Sequence, residues 1–386
     1  MSLLAFKNIH IREWKRVVFN KDIRLMCFVA PLLYGVILTS VYYQGRLNQL
    51  PMGVIDKDRS ELSREFVRLA DATENIEVAH QYASETDAEN DIIDGKISGF
   101  IYLPANFSSD VKRGGDTHVN VAVSSSNFLI ANPLITSSTE VASALSERFF
   151  IDNLLSKGLS FDKVLAITNP LQLSTDILFN RELNYSNFMI PPLLFAILQQ
   201  IILVSIAFSM SLEREEKTLH ELKILSMGSA LAVIFAKTTP YILINTFIGL
   251  LFLFIAMPFF NISLTTNIFS IITLEFIFIV TVALFAFLIS MFFKKTLTAL
   301  LVLMFYSMPA FLMSGVSWPL NSLPLFNRVL SSLFPTTYFF YDWRMLILAE
   351  EVPWHFILTL LFKLVPFALI CLVASYFIVR KILRQS

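Results

Sequence analysis

Charge is scarce in this 386-residue chain: Asp, Glu, Lys and Arg together make up 16% of it, against about one quarter in an ordinary soluble domain. Cysteine is nearly missing too. Cys27 and Cys371 are the only two, each inside an apolar run, so neither a disulfide framework nor a cysteine-based zinc site can be built. No GxxxxGK[ST], GxSxG or HExxH segment occurs. Their absence removes the P-loop cradle for nucleotide phosphates, the serine-hydrolase elbow and the zincin site. Thirty Lys and Arg balance thirty Asp and Glu, which excludes a basic nucleic-acid binder and an acidic disordered tail. What is abundant is apolar: hydrophobic residues are 55% of the chain and Phe alone occupies 37 positions. That is the composition of a membrane protein.

An α-helix needs about 20 apolar residues to cross a hydrocarbon core about 30 Å thick. Six runs meet that requirement, at 25–43, 188–212, 238–258, 268–293, 296–316 and 353–379. The first is too long for a signal h-region and no small-x-small cleavage site follows it, so it reads as a retained anchor. Lys7, Arg12, Lys15, Arg16, Lys21 and Arg24 precede it, and Arg380, Lys381 and Arg384 close the chain. Cations collect on the cytoplasmic side, so both termini are expected there. Loops 213–237 and 294–295 then face the same way, and they hold Arg214, Lys217, Lys223, Lys237, Lys294 and Lys295.

Residues 44–187 must lie outside, with twelve Lys and Arg against twenty Asp and Glu. Their texture is that of a folded α/β domain. Strand-like runs fall at 52–56, 97–103 and 119–123, and helical periodicity at 60–72, 86–95 and 137–155. His80 and His118 have no ligand spacing, and the scattered carboxylates read as a solvated surface.

Two cytoplasmic stretches stand out. Before the first span, Leu4, Ile11, Trp14 and Val18 share a helical face and Arg12 and Arg16 face away, the pattern of an amphipathic helix with Trp14 at headgroup depth and its cations toward anionic lipid. After the second span, Thr218 followed by Glu221 fits a capping box that starts a short helix through Leu219, Leu222 and Leu225, with Gly228 as its stop. A short capped helix between two spans is a handle. With no nucleotide motif in the chain, another chain must supply the work.

This last stretch carries a resemblance. Leu212, Glu213, Arg214, Glu215, Thr218 and Leu222 match the L-E-R-E-x-G-T-x-x-x-L pattern of permease subunits of bacterial ABC-2 type transporters, with Lys217 where Gly is commoner. Ala236 to Tyr241 is similar to that family's start of the third span. Ser314-Gly315-Val316-Ser317-Trp318-Pro319-Leu320, then Leu323-Pro324 and Phe334-Pro335-Thr336-Thr337-Tyr338, resembles its block after the fifth span. The layout resembles the long form, with a large extracytoplasmic domain after the first helix.

The resemblance implies an α-helical integral membrane protein of six transmembrane helices with an α/β domain inserted between the first and second. The segments would be a cytoplasmic amphipathic helix at 1–24, the first span at 25–43 and the extracytoplasmic domain at 44–187. A five-helix membrane domain at 188–379 and a cytoplasmic tail at 380–386 would follow. Within the membrane domain lie a coupling helix at 213–228 and an outer re-entrant segment at 317–345, where Pro319, Pro324 and Pro335 break any through-running helix. The implied function is the permease half of an ATP-driven exporter of hydrophobic or amphiphilic cargo in a bacterial inner membrane. Its partners would be a separate ABC ATPase using ATP and Mg, a second permease copy (the same or a paralogue), a periplasmic adaptor and membrane lipids. No cofactor is expected on this chain and no catalytic residue. ATPase coupling would fall to Glu213, Arg214, Glu215, Glu216, Thr218, Leu219, Glu221 and Leu222, with Glu213, Glu215 and Glu216 meeting basic residues on the partner.

Two ionisable groups lie inside spans, Glu275 and Lys363. A charge at a helix centre costs about 2.5 to 3.5 kcal/mol, so each marks either a transport path or a site near an interface. Tyr338 to Tyr341, Trp343 and Trp354 read as an interfacial aromatic belt. Two other readings remain open. A membrane sensor or scaffold with an external ligand-binding domain would need a cytoplasmic output domain larger than the roughly 25-residue internal loop. An ion-coupled secondary transporter would use Glu275 and Lys363 and show inverted repeats, of which there is no sign.

Overall fold

The computed structural model describes residues 2–385 other than 44, 46, 114, 169–179, 181–183, 263, 265, 266, 350 and 351. Ser2 caps helix α1 (Leu3–Phe19), its hydroxyl accepting from the Ala5 amide, and the Asn20 side chain starts α2 by accepting from the amides of Asp22 and Ile23. Helix α2 (Lys21–Val41) carries a π-helical segment over Leu25–Val29. Next come β1 (Leu50–Asp56), α3 (Glu61–Asp71), β2 (Ile76–Gln81), α4 (Glu85–Ile93) and β3 (Gly99–Leu103). They are followed by α5 (Phe107–Arg113), β4 (Asn120–Val123), α6 (Phe128–Ser156) and α7 (Phe161–Thr168). The chain continues through α8 (Tyr185–Glu215), α9 (Leu219–Ser226), α10 (Ala230–Phe259) and α11 (Ile268–Ser290). It ends with α12 (Thr296–Leu312), α13 (Leu325–Ser331), α14 (Phe340–Leu348) and α15 (Trp354–Gln385). The chain forms two compact units, Arg46–Asp176 and the remainder.

The Arg46–Asp176 unit is a four-stranded sheet in the order β2-β1-β3-β4, with β1 parallel to both neighbours and β4 antiparallel to β3. Alternation along β3 sends Ile101 and Leu103 to one face and Phe100 to the other, as the pleat requires. Leu62 and Phe66 of α3, Phe107 of α5 and Leu134, Val141 and Leu145 of α6 cover the first face; Ala88 of α4 covers the second. The α/β texture read from the sequence is present, with one strand more than expected. Strand β2 was missed because it is a sheet edge on which only Ile76 is buried. Helix α6 begins at Phe128, capped by Asn127, nine residues before the expected start, and carries Pro133 in its second turn.

In the other unit α11 is the central helix, packed against α8, α10 and α15. Its Phe278 stacks on Phe339 at 4.0 Å between ring centroids, and Phe195 of α8 meets Trp343 of α14 at 4.5 Å. Phe339, Phe340 and Trp343 are fully buried, which corrects their reading as part of an interfacial belt, while Tyr341 is exposed and Tyr338 half-buried. Helix α14 turns the three buried rings into the bundle, so they are core. Trp354, in contrast, is exposed.

Among the described residues five helices are long and apolar enough to cross a membrane: α2, α8, α10, α11 and α15. The sixth candidate, 296–316, is helical only over Thr296–Leu312, because the chain turns at Met313 and Gly315 takes a φ of +88°. A Cβ at Gly315 would also meet Leu320 Cγ at 2.9 Å. Helix α10 begins at Ala230, capped by Ser229, rather than at 238. Lys237 is therefore a helix residue and not a loop cation.

Candidate functional site

Helix α1 buries Ala5, Ile9, Glu13 and Val17, one residue in every four. An acid in an otherwise apolar stripe needs a counter-charge, because an unpaired buried carboxylate is strongly unfavourable. Lys237 of α10 supplies it: Nζ lies 2.9 Å from Glu13 and 2.8 Å from Glu213 of α8, and all three side chains are at most 2% exposed. Tyr241, one turn on from Lys237, donates to Glu13 at 2.8 Å, and the Ser209 hydroxyl donates to the same carboxylate.

The rim of this centre is cationic. Arg12 and Arg16, at the neighbouring positions on α1, reach Glu213 at 3.1 and 2.7 Å. Arg12 also pairs with Glu221 of α9 at 3.2 Å and Arg16 with Glu216 at 3.3 Å. Three cations and four carboxylates thus tie together α1, the end of α8, α9 and α10. Arg12 and Arg16 serve protein carboxylates rather than lipid headgroups, while Leu4, Ile11 and Val18 remain exposed on the opposite face.

Thr218 departs from the expected capping box. Its hydroxyl donates to the Glu213 carboxylate and makes no side-chain cap to α9, while Glu221 is held by Arg12. Lys217 takes a φ of +58°, the left-handed conformation that favours glycine. Helix α9 ends where Met227 and Gly228 take φ of 48° and 76°. On α9 Leu222 is buried and Leu219 half-buried, whereas His220, Glu221 and Ile224 are exposed.

Arg214 and Glu215 of the same acidic and basic run are committed to the turn before α12 and to its first residue. Arg214 Nη1 donates to the Phe293 carbonyl at 2.7 Å, and Glu215 accepts from the Thr296 amide at 3.2 Å and its hydroxyl at 2.5 Å. A carboxylate there caps the α12 N-terminus and complements its dipole. Glu213 and Glu215 are therefore satisfied within the chain.

Other expected sites lie apart from this centre. Trp14 donates to His10 at 3.0 Å and is half-buried. Pro319 starts a 3₁₀ turn at Leu320–Ser322, Pro324 precedes α13, and Pro335 opens a 3₁₀ turn over Pro335–Tyr338. The Tyr338 hydroxyl donates to the Ser332 carbonyl at 2.7 Å and Thr336 to Ala310 at 3.1 Å, which folds the block back onto α12. Lys363 pairs with Asp342 of α14 at 2.7 Å and is substantially exposed. Glu275 is fully buried and shares no ion pair or hydrogen bond with Lys363. Sequence reasoning missed Glu13 and Lys237. Glu13 occupies an apolar position of the i, i+4 stripe, and Lys237 sits inside the apolar run that begins at Ala230.

Five long apolar helices define a multi-pass membrane protein, and buried charge ties two of them, α8 and α10, to α1. The family profile described as ABC-2 family transporter protein matches residues 21–377. The chain belongs to that family, as the motif resemblance implied. It is thus a membrane component of the kind that works with an ABC ATPase. The match starts after α1, so Arg12, Glu13 and Arg16 lie outside it. No curated protein matches the chain.

Proposed function

We propose that this chain is the permease subunit of an ATP-driven exporter, two copies of which enclose a path for a hydrophobic or amphiphilic cargo. Its six spans include the short α12, both termini are cytoplasmic, and the α/β unit is extracytoplasmic. Helix α9 receives the ATPase. The observation that carries this reading is the buried centre of Glu13, Lys237 and Glu213 with Arg12 and Arg16 at its rim. Through it a displacement of α9 is transmitted to α1, α8 and α10 together, because separating any one of them exposes an uncompensated charge.

The docking surface is the outward side of α9, with His220 and Ile224 beside Lys217 and Met227, all exposed. The family's glutamates act from beneath it, Glu213 and Glu215 as internal ties and Glu216 and Glu221 as partners of the α1 arginines. The bacterial inner membrane, the second copy and a periplasmic adaptor belong to the same reading. The full chain, affinity-tagged in its native membrane and co-purified with its cognate ATPase, should yield an ATP-hydrolysing assembly. Replacing Ile224 and Met227 by Glu should abolish recovery of hydrolysis while leaving the melting temperature of the chain unchanged. Retained hydrolysis would reject α9 as the docking element.

A further inference from the structure

Glu275 is the only titratable residue of α11. Its side chain is fully buried, and neither carboxyl oxygen has a hydrogen-bond partner among the described residues. The carboxyl is pressed against α10 at Gly249. A Cβ there would fall 1.9 Å from Glu275 Oε1 and 3.3 Å from Leu198 Cδ1 of α8. The acid therefore fills the space left by a glycine in a seam of three helices. On the same helices, Gln199 Oε1, next to Leu198, and Asn245 Oδ1, one turn from Gly249, are buried without a partner, as are the hydroxyls of Thr246 and Ser270.

Among the described residues no cation pairs with Glu275; the Arg344 guanidinium of α14 lies over the Phe188 ring of α8, ten residues or about 15 Å along that helix from Leu198. On α10, Tyr241 and Lys237 lie eight and twelve residues from Gly249, about 12 and 18 Å along the axis, and both engage Glu13. On α8, Tyr185 and Glu213 are each about 20 Å from Leu198 by the same rise. On α15, Lys363 is held by Asp342, Cys371 is buried, and His355 is exposed. Tyr376 of α15 packs on Phe377, Tyr338 donates to Ser332, and Tyr306 of α12 packs on Phe285.

We propose that Glu275 is a proton-binding site that reports and governs closure of this seam. The carboxyl carries its proton while α8, α10 and α11 are packed together, and passes it to water when they part, leaving the carboxylate. A bare carboxylate inside the closed seam would have neither a hydrogen bond nor a counter-ion among the described residues, so closure selects the acid and ionisation favours separation.

The test uses the full chain in phosphatidylethanolamine–phosphatidylglycerol nanodiscs and needs no ATPase, so it succeeds or fails independently of the docking assignment. Infrared spectra of the wild type minus E275Q should show a carboxylic-acid carbonyl band at neutral pH. Absence of that band would overturn the proposal. In parallel, Leu198→Cys is placed in a background carrying Cys27→Ala and Cys371→Ala, with and without E275Q, and labelled with a membrane-permeant maleimide. The ratio of labelling rates, Glu275 background over E275Q background, should rise several-fold from neutral to alkaline pH, the shared thiol chemistry cancelling. A ratio that stays flat would equally overturn it.

Discussion

Lys237→Met removes the one cation buried between two acids while keeping nearly the same side-chain length, and the two acids should respond unequally. Glu213 keeps Arg16 at 2.7 Å and Arg12 at 3.1 Å. Glu13 keeps only the neutral donors Ser209 and Tyr241, since Lys237 is its sole ion-pair partner among the described residues. Breaking a buried pair by deleting one member costs about 3 to 5 kcal/mol, because the orphaned charge stays in place. For a unit of this size that lowers the melting temperature by on the order of 10 °C. The assay is thermal unfolding of the full chain in detergent, followed by intrinsic fluorescence. Adding Glu13→Gln to Lys237→Met should restore most of the loss, and adding Glu213→Gln should restore little, because Arg12 and Arg16 would then face no acid in the centre. Equal rescue by the two glutamines, or no loss from Lys237→Met, would refute the assignment of Lys237 as the counter-charge of Glu13.

Three further outcomes are expected. Gly249→Ala should destabilise the chain by about 1 to 3 kcal/mol through overpacking against Glu275, and a second change of Glu275→Ala should recover it in the same melting assay. Lys217→Gly should be more stable than Lys217→Ala by about 1 kcal/mol, since both lose the charge and only glycine relieves the φ of +58°; equal melts would contradict the strain. In the α/β unit, burial and the hydrogen bond to Asp91 push the Tyr82 phenol up to about 12, and the Lys96 ammonium and the Tyr82 hydroxyl hold Asp91 below the usual carboxylate range. Stabilisation from Asp91 is therefore present above the ordinary carboxylate value and lost as pH falls through the depressed one. That from Tyr82 is present below the ordinary phenol value and lost as pH rises through about 12. Protection factors over 82–96, taken against intrinsic exchange at each pH, should fall at both limits, and a Tyr82→Phe chain should lack the alkaline fall.

Much of the bundle was legible because apolar runs are long. The caps at Ser2, Asn20 and Ser229, each accepting from amides two or three residues on, went unread, so α10 starts at Ala230 and not at 238. What sequence could not supply was which charge is internal. Lys237 reads as a loop cation by type, and only the third dimension brings Glu13 and Glu213 to it from positions 224 and 24 residues earlier in the chain. The error at Thr218 has the same origin: its spacing to Glu221 is that of a capping box, but a buried carboxylate competes for the hydroxyl and an arginine takes the glutamate. Phe339, Phe340 and Trp343 were misplaced because an aromatic ring facing lipid and one facing a core are the same letters.

The acidic and basic signature at the end of α8 spends its side chains inward and sideways, on α1, α10 and the start of α12, while His220 and Ile224 of α9 stay exposed. On the docking reading proposed above, strength of the joint and identity of the visitor are written on different residues, so a lineage that changes its motor need only redraw His220, Ile224 and Met227 while the buried centre keeps its stiffness.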